Sequence, residues 1–235
     1  MTSQAISERL RGLGSEARAS ASRRFFKTGP GEYGEGDVFY GLTVPQVRAV
    51  VAEVSPLPER VTLALLRSPV HEARQLALLV LVRAYACGDG AARERIFACY
   101  LANTRWINNW DLVDCSAEHI VGAHLSGRDR APLDALAVSA SLWERRIAIV
   151  ATFHLIRRGV FDDTLRVAGM LLADREDLIH KATGWMLREV GKRAPEVERA
   201  FLDRHAPAMP RTMLRYAIER FPEAERRRYL SAGRL

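Results

Sequence analysis

The chain has 235 residues, 48% hydrophobic and 27% charged, a balance that suits an ordered globular protein with a substantial core. Its net charge of +7 and pI near 9.8, carried almost wholly by arginine, favour a polyanionic partner, nucleic acid before an acidic membrane surface. No apolar run is long enough to span a bilayer; the scattered Cys87, Cys99 and Cys115 read as reduced thiols, and the unclustered histidines argue against a metal site.

Met1–Glu8 lacks a basic segment followed by an apolar one, so no secretory signal is expected and the compartment is read as cytoplasmic. Ser3 to Lys27 has a helical pattern broken near Gly12 and Gly14, giving two short helices. Thr28–Asp37 is the glycine-rich segment of the chain. It lacks the Lys-Ser/Thr of a P-loop, and no strand precedes it as a dinucleotide fold requires. It reads as an ordered surface loop, with Tyr33, Phe39 and Tyr40 as candidate contacts to a ligand. The competing reading is that Phe39 and Tyr40 pin the loop to the body. Pro45 suits the first turn of the next helix, which runs through Val47, Val50 and Val51.

From there the chain repeats helix, turn, helix. Pro58–Arg67 leads into Pro69–Cys87, Ala91–Asn103 into Trp106–Leu125, and Ala131–Ser139 into Leu142–Arg158. Asp163–Ala173 leads into Glu176–Arg193, Glu196–His205 into Arg211–Arg220, and a short basic helix follows. No segment alternates as a strand does. Gln75 and Arg146 lie 71 residues apart, Arg146 and Lys181 35 apart, and 35 on from Gln75 falls on Trp110. A helix-pair period of this size predicts an all-α solenoid of helical repeats, one domain over 1–235, with the second helices lining a concave basic groove. Trp110, Arg146 and Lys181 then share a stripe, with Asp114 and Trp185 one turn further along.

The most informative stretch is Arg105–Ser116. If Trp106–Leu125 is one helix, Trp110 and Asp114 lie one above the other on a single face. A π face beside a carboxylate suits a cationic, ring-shaped ligand or transition state. The plainer reading is a core tryptophan followed by a capping or paired aspartate. Arg145, Arg146, Lys181 and Arg188 add guanidinium and ammonium groups suited to phosphate oxygens, although charge on a helix is usually a solvated face.

Three segments together carry a family resemblance: Trp110-Asp111-Leu112-Val113-Asp114, Leu142-Trp143-Glu144-Arg145-Arg146, and Lys181 through Glu189 around Trp185. They resemble the signatures of the AlkD family, bacterial DNA alkylation-repair glycosylases built from HEAT-like repeats. Phe39–Pro45 resembles that family's N-terminal signature. The resemblance implies that Trp110 and Trp185 pack against the lesion-bearing backbone, that Asp114 is the catalytic carboxylate, and that Arg146 is the basic group beside it. It also implies a lesion that stays essentially stacked, and it leaves Tyr33, Phe39 and Tyr40 unassigned; Tyr33 and Tyr40 are read as DNA contacts.

The chemistry suits these residues. A purine alkylated at N3 or N7 is cationic and leaves readily, and breaking its N-glycosidic bond builds positive charge on the sugar. Aromatic faces and a carboxylate stabilise that charge, so no cofactor and no metal are expected. Three readings stay open. The first is a monofunctional alkylpurine DNA glycosylase, a monomer acting on duplex DNA that carries 3-methyladenine or 7-methylguanine. The second is a non-catalytic binder of damaged or branched DNA. The third is a peptide-binding solenoid, which would show asparagine ladders and apolar pockets instead.

Overall fold

Local chemistry sets the helix starts. Thr2 accepts the Ala5 N–H at 3.2 Å and opens α1, Ser3–Leu13, which buries Ile6 and Leu10. Ser15 precedes α2, Glu16–Phe25. Thr43 and Gln46 form a reciprocal capping box, with Pro45 in the first turn of α3, Val44–Val54. A computed structural model of the chain describes residues 1–231. Its helices fall into two compact units, Met1–Ile120 and Val121–Leu235. Among the described residues no strand forms; one parallel bridge pairs Val38 with Val70. The molecule is all-α. None of its described helices is long and apolar enough to cross a membrane.

In the first unit, α4 (Glu59–Leu66) and α6 (Gly90–Leu101) flank α5, His71–Cys87. The latter is the interior helix. Besides Leu76, Ala77 and Leu78 it buries His71, Glu72, Arg74 and Gln75, an unusual load that must be hydrogen-bonded to be tolerated. Glu72 receives the backbone N–H groups of Tyr40, Gly41 and Leu42, the shortest at 2.7 Å from Gly41. Gly41 has φ +79°, and a Cβ there would stand 2.2 Å from the Ser15 carbonyl oxygen. Only glycine fits that crossing.

The expectation of one helix over Trp106–Leu125 is corrected. A 3-10 turn covers Thr104–Trp106, α7 spans only Trp110–Asp114, and a π-helical turn over Glu118–Gly122 leads into α8, Ala123–Leu125. Asn109 is extended (φ −151°, ψ 154°) and its side chain accepts the Trp110 N–H at 2.8 Å, so the helix starts there. Ser116 ends it: its hydroxyl donates to the Leu112 carbonyl at 2.6 Å, while its N–H turns to Val113 at 3.1 Å. Apolar spacing carries no trace of either contact.

The second unit keeps the expected helix pairs, but the helix expected over Leu142–Arg158 is broken after Ala151 and that over Arg211–Arg220 ends in a 3-10 turn, Ile218–Arg220. The pairs are α9 (Ala131–Ala137) with α10 (Leu142–Ala151) and the short α11 (Phe153–Ile156), then α12 (Asp162–Met170) with α13 (Asp177–Gly191). Next come α14 (Pro195–His205) with α15 (Arg211–Ala217), and finally α16, Glu223–Ser231. Helix α13 packs on α10 and α15; Gly184 lets α15 approach, since a Cβ there would stand 2.4 Å from the Met213 carbonyl oxygen. Ion pairs of Arg130 with Asp163 and of Arg166 with Asp134 tie α9 to α12.

Candidate functional site

Helix α7 presents two faces. Leu112 and Val113 are fully buried, while Trp110 and Asp114 stand half-buried on the other side, with the Asp111 side chain beside them largely withdrawn from solvent. Trp110 and Asp114 therefore share a helix face, as their spacing predicts. Five residues are too few to hold a helix by backbone bonds alone, so α7 depends on its surroundings. Its two ends are fixed by Asn109 and Ser116. Behind Ser116 lies the fully buried Tyr100 hydroxyl at 2.9 Å, which donates to the serine oxygen because the serine proton goes to Leu112.

The Trp110 ring belongs to an aromatic cluster. Phe26 stacks on it at 5.4 Å and 25°, and Phe25 meets it edge-on at 5.8 Å. Phe26 also stacks on Phe39 at 5.2 Å. Phe25 is 65% exposed, the most exposed ring of this cluster. Neither Phe25 nor Phe26 was singled out by motif or register. The usable signal was two adjacent aromatics at a helix end before a glycine-rich loop, where one of the pair must turn outward.

Beneath the rings lies a buried polar network. His71 Nε2 is 2.8 Å from Asp111 Oδ2, and Nδ1 is 3.3 Å from Asp37 Oδ2. Arg74 pairs with the same Asp37 oxygen at 2.6 Å, and Gln75 donates to Asp111 at 3.2 Å. Burial opposes ionisation of Asp37, but the His71 hydrogen bond and the Arg74 charge outweigh it and hold the carboxyl below the usual range. For His71, burial pulls the pKa down, and the hydrogen bonds to Asp111 and Asp37 more than reverse it, leaving it raised. Gln75, one of the positions in the sequence register, thus bonds Asp111, the residue after Trp110.

Of the loop aromatics, Phe39 is buried between Phe26 and His71, so it pins the loop to the body. Tyr40 is half-buried; its hydroxyl accepts from Arg11 at 3.1 Å and the Arg11 guanidinium lies 5.3 Å from its ring. Tyr33 is half-buried within the Thr28–Asp37 loop.

In the second unit, Trp185 on α13 is half-exposed. Its indole N–H donates to Glu189 at 3.3 Å, and Phe153 lies 5.8 Å away. Burial raises the Glu189 pKa, but Lys192, Arg193 and the indole outweigh it, so its carboxyl stays ionised well into acid. The basic residues are engaged within the unit. Arg145 forks onto Asp174 at 2.6 Å and donates to the Ser139 and Ala140 carbonyls. Arg146 is buried and donates to the Leu178 carbonyl at 2.7 Å. Lys181 pairs with Asp177 at 2.7 Å, and Arg188 with Glu219. Lys181 keeps an exposed head, whereas Arg145 and Arg146 position α13 and the turn before it. Among the described residues no group of His, Cys, Asp and Glu is placed to hold a metal ion.

A solved structure described as a predicted DNA alkylation repair enzyme from Enterococcus faecalis superposes with a TM-score of 0.68. At 16% identity it covers 90% of this chain and 98% of its own, which establishes a shared fold. No curated protein sequence matches the chain significantly. The model of the DNA alkylation repair enzyme family matches residues 6–221, nearly the whole chain, and the protein belongs to that family.

Proposed function

We propose that the protein is a monofunctional glycosylase that excises cationic alkylated purines from duplex DNA. The observation that carries the reading is the shared face of α7. There a half-exposed carboxylate, Asp114, stands one helical turn from Trp110, whose ring is braced by Phe25 and Phe26. An N3- or N7-alkylated purine is a good leaving group, so the barrier is mainly the cost of positive charge on the deoxyribose. Asp114 stabilises that charge and orients the attacking water; Trp110 adds its π face. Both act without a proton donor for the base.

Duplex affinity comes from arginine and lysine set against phosphates, and is largely electrostatic. Lys181 and Arg188, held on α13, and Trp185 serve as DNA contacts of the second unit. Arg146 and Arg145 support them by holding α13, and Tyr33 and Tyr40 contact the duplex from the first unit. Membership of a DNA alkylation repair family supports the substrate class.

The test is direct. The purified protein is incubated with methylated duplex DNA and any free base is identified by chromatography. Release of 7-methylguanine or 3-methyladenine in the presence of a strong chelator is expected. Duplex binding that weakens with salt, with no base released, would replace this reading with a non-catalytic binder of damaged DNA.

A further inference from the structure

We infer that His71 is a positioning residue for Trp110 and Asp114: as an imidazolium shared between Asp37 and Asp111 it ties α7 to the glycine-rich loop, and loss of its proton slackens that hold. The inference rests on the glycosylase reading only for its activity readout. Its basis is the geometry around one ring. Both nitrogens of His71 are within hydrogen-bond reach of a carboxylate oxygen, 2.8 Å to Asp111 and 3.3 Å to Asp37. An ionised carboxylate only accepts, so both bonds exist together only when both nitrogens carry protons.

The charged groups facing the ring are Asp37 from the loop, Asp111 from α7 and Arg74 from its own helix. With a protonated His71 this set holds two positive and two negative charges. Deprotonation leaves a net negative charge in a site that is nearly closed to solvent, and sets a bare nitrogen lone pair against a carboxylate. Nor can the ring turn to choose a partner. Phe39 stacks on it at 4.6 Å and Phe26 lies at 4.9 Å.

What moves when the bridge breaks is specific. Asp111 adjoins Trp110 and is three residues from Asp114 on a five-residue helix. Gln75 still donates to the Asp111 carboxylate at 3.2 Å, and Asn109 and Ser116 still hold the helix ends. The helix is therefore displaced rather than melted, and a small displacement of a catalytic group is expensive in rate.

The experiment compares the full chain with Asp111→Asn and His71→Gln from about pH 6 to about pH 9.5. Single-turnover release of 7-methylguanine, corrected for uncatalysed loss, is measured together with tryptophan fluorescence and the imidazole NMR titration. The Trp110 signal is identified by its loss in Trp110→Phe, and the His71 signal by its loss in His71→Gln. In the parent, release should fall about tenfold at the alkaline end, with a Trp110 fluorescence change over the same range. In Asp111→Asn both should be flat. The amide accepts from a protonated Nε2 or donates to a bare one, so the bridge survives either way. If Asp111→Asn does not fold, His71→Gln carries the test, with a flat profile at a reduced rate.

An alkaline fall in either variant equal to the parent's would overturn the inference. So would a His71 imidazole titrating at or below its ordinary value of 6.5. If no base is released at any pH, the glycosylase reading fails by itself. The Trp110 fluorescence and the imidazole titration then decide whether His71 holds α7.

Discussion

Two helices each carry a half-exposed tryptophan, and they are built in opposite ways. Helix α13 runs fifteen residues, and Trp185 is oriented by a partner one turn along the same helix, Glu189. Helix α7 runs five, and much of what braces it comes from distant parts of the chain: Phe25 and Phe26 lie against the Trp110 ring, and His71 and Gln75 from α5 hold the neighbouring Asp111. A long helix carries its side chain on its own backbone bonds, whereas a short one must be held by side chains. The first arrangement tolerates local damage. The second makes the Asp114 face sensitive to residues that never touch a substrate.

That contrast can be broken most severely at Leu112. Its side chain is fully buried under α7, and Leu112→Ala should cost about 2–5 kcal/mol of unfolding free energy. Urea denaturation followed by circular dichroism checks this; a loss under about 1 kcal/mol would show that α7 is not anchored by its buried face. Next in size is a weakness of the second unit. Glu198 is 1% exposed, and burial pushes its carboxyl pKa up to about 8, well above the 4.5 of an unfolded chain. The folded state thus holds this proton more tightly. Its contribution is fully present below about pH 4.5 and is lost as pH rises toward 8. Glu198→Gln does not titrate, so it should gain on the parent by about 2–4 kcal/mol by pH 9 and by almost nothing at pH 4. Thermal melts at the two pH values decide it, and an equal difference at both would contradict the buried-acid account.

Smaller effects sharpen the comparison. Tyr100→Phe removes the hydroxyl behind Ser116 and should cost about 1 kcal/mol, while slowing base release through a looser α7. Glu189→Gln keeps the shape beside Trp185 and its amide oxygen still accepts; although Glu189 is buried, the Lys192 and Arg193 heads reach water, so the chain should melt within about 1 kcal/mol of the parent. If Glu189→Gln proved the more harmful of the two for base release, the contrast between the helices would be reversed.

How much of this was legible beforehand differs by element. Helix pairs from Pro58 onward follow from apolar period and turn residues, and the structure keeps α4 with α5, α9 with α10 and α12 with α13. The shared face of Trp110 and Asp114 was also legible, since a four-residue spacing needs only one helical turn. The break of the expected Trp106–Leu125 helix was not. It depends on Asn109 and Ser116 side chains that bond the backbone, and both residues are ordinary inside a helix pattern. The His71 network was hidden for another reason. Asp37 and Asp111 lie 34 and 40 residues away in sequence, so no motif could unite them. Arg145 reads as a phosphate ligand from charge, and Arg146 from charge and the family resemblance; their bonds to Asp174 and to the Leu178 carbonyl are visible only once α10 and α13 are packed.

The central claim is that the charge of Asp114, on the face it shares with Trp110, drives base release. Asp114→Asn keeps the shape and removes the charge. Single-turnover release of 7-methylguanine by a folded Asp114→Asn chain that binds lesion DNA as the parent does should be slower by about 10²–10³. Release at the parent's rate would contradict the account, and would leave Trp110 and its neighbours as a surface that holds DNA without cutting it.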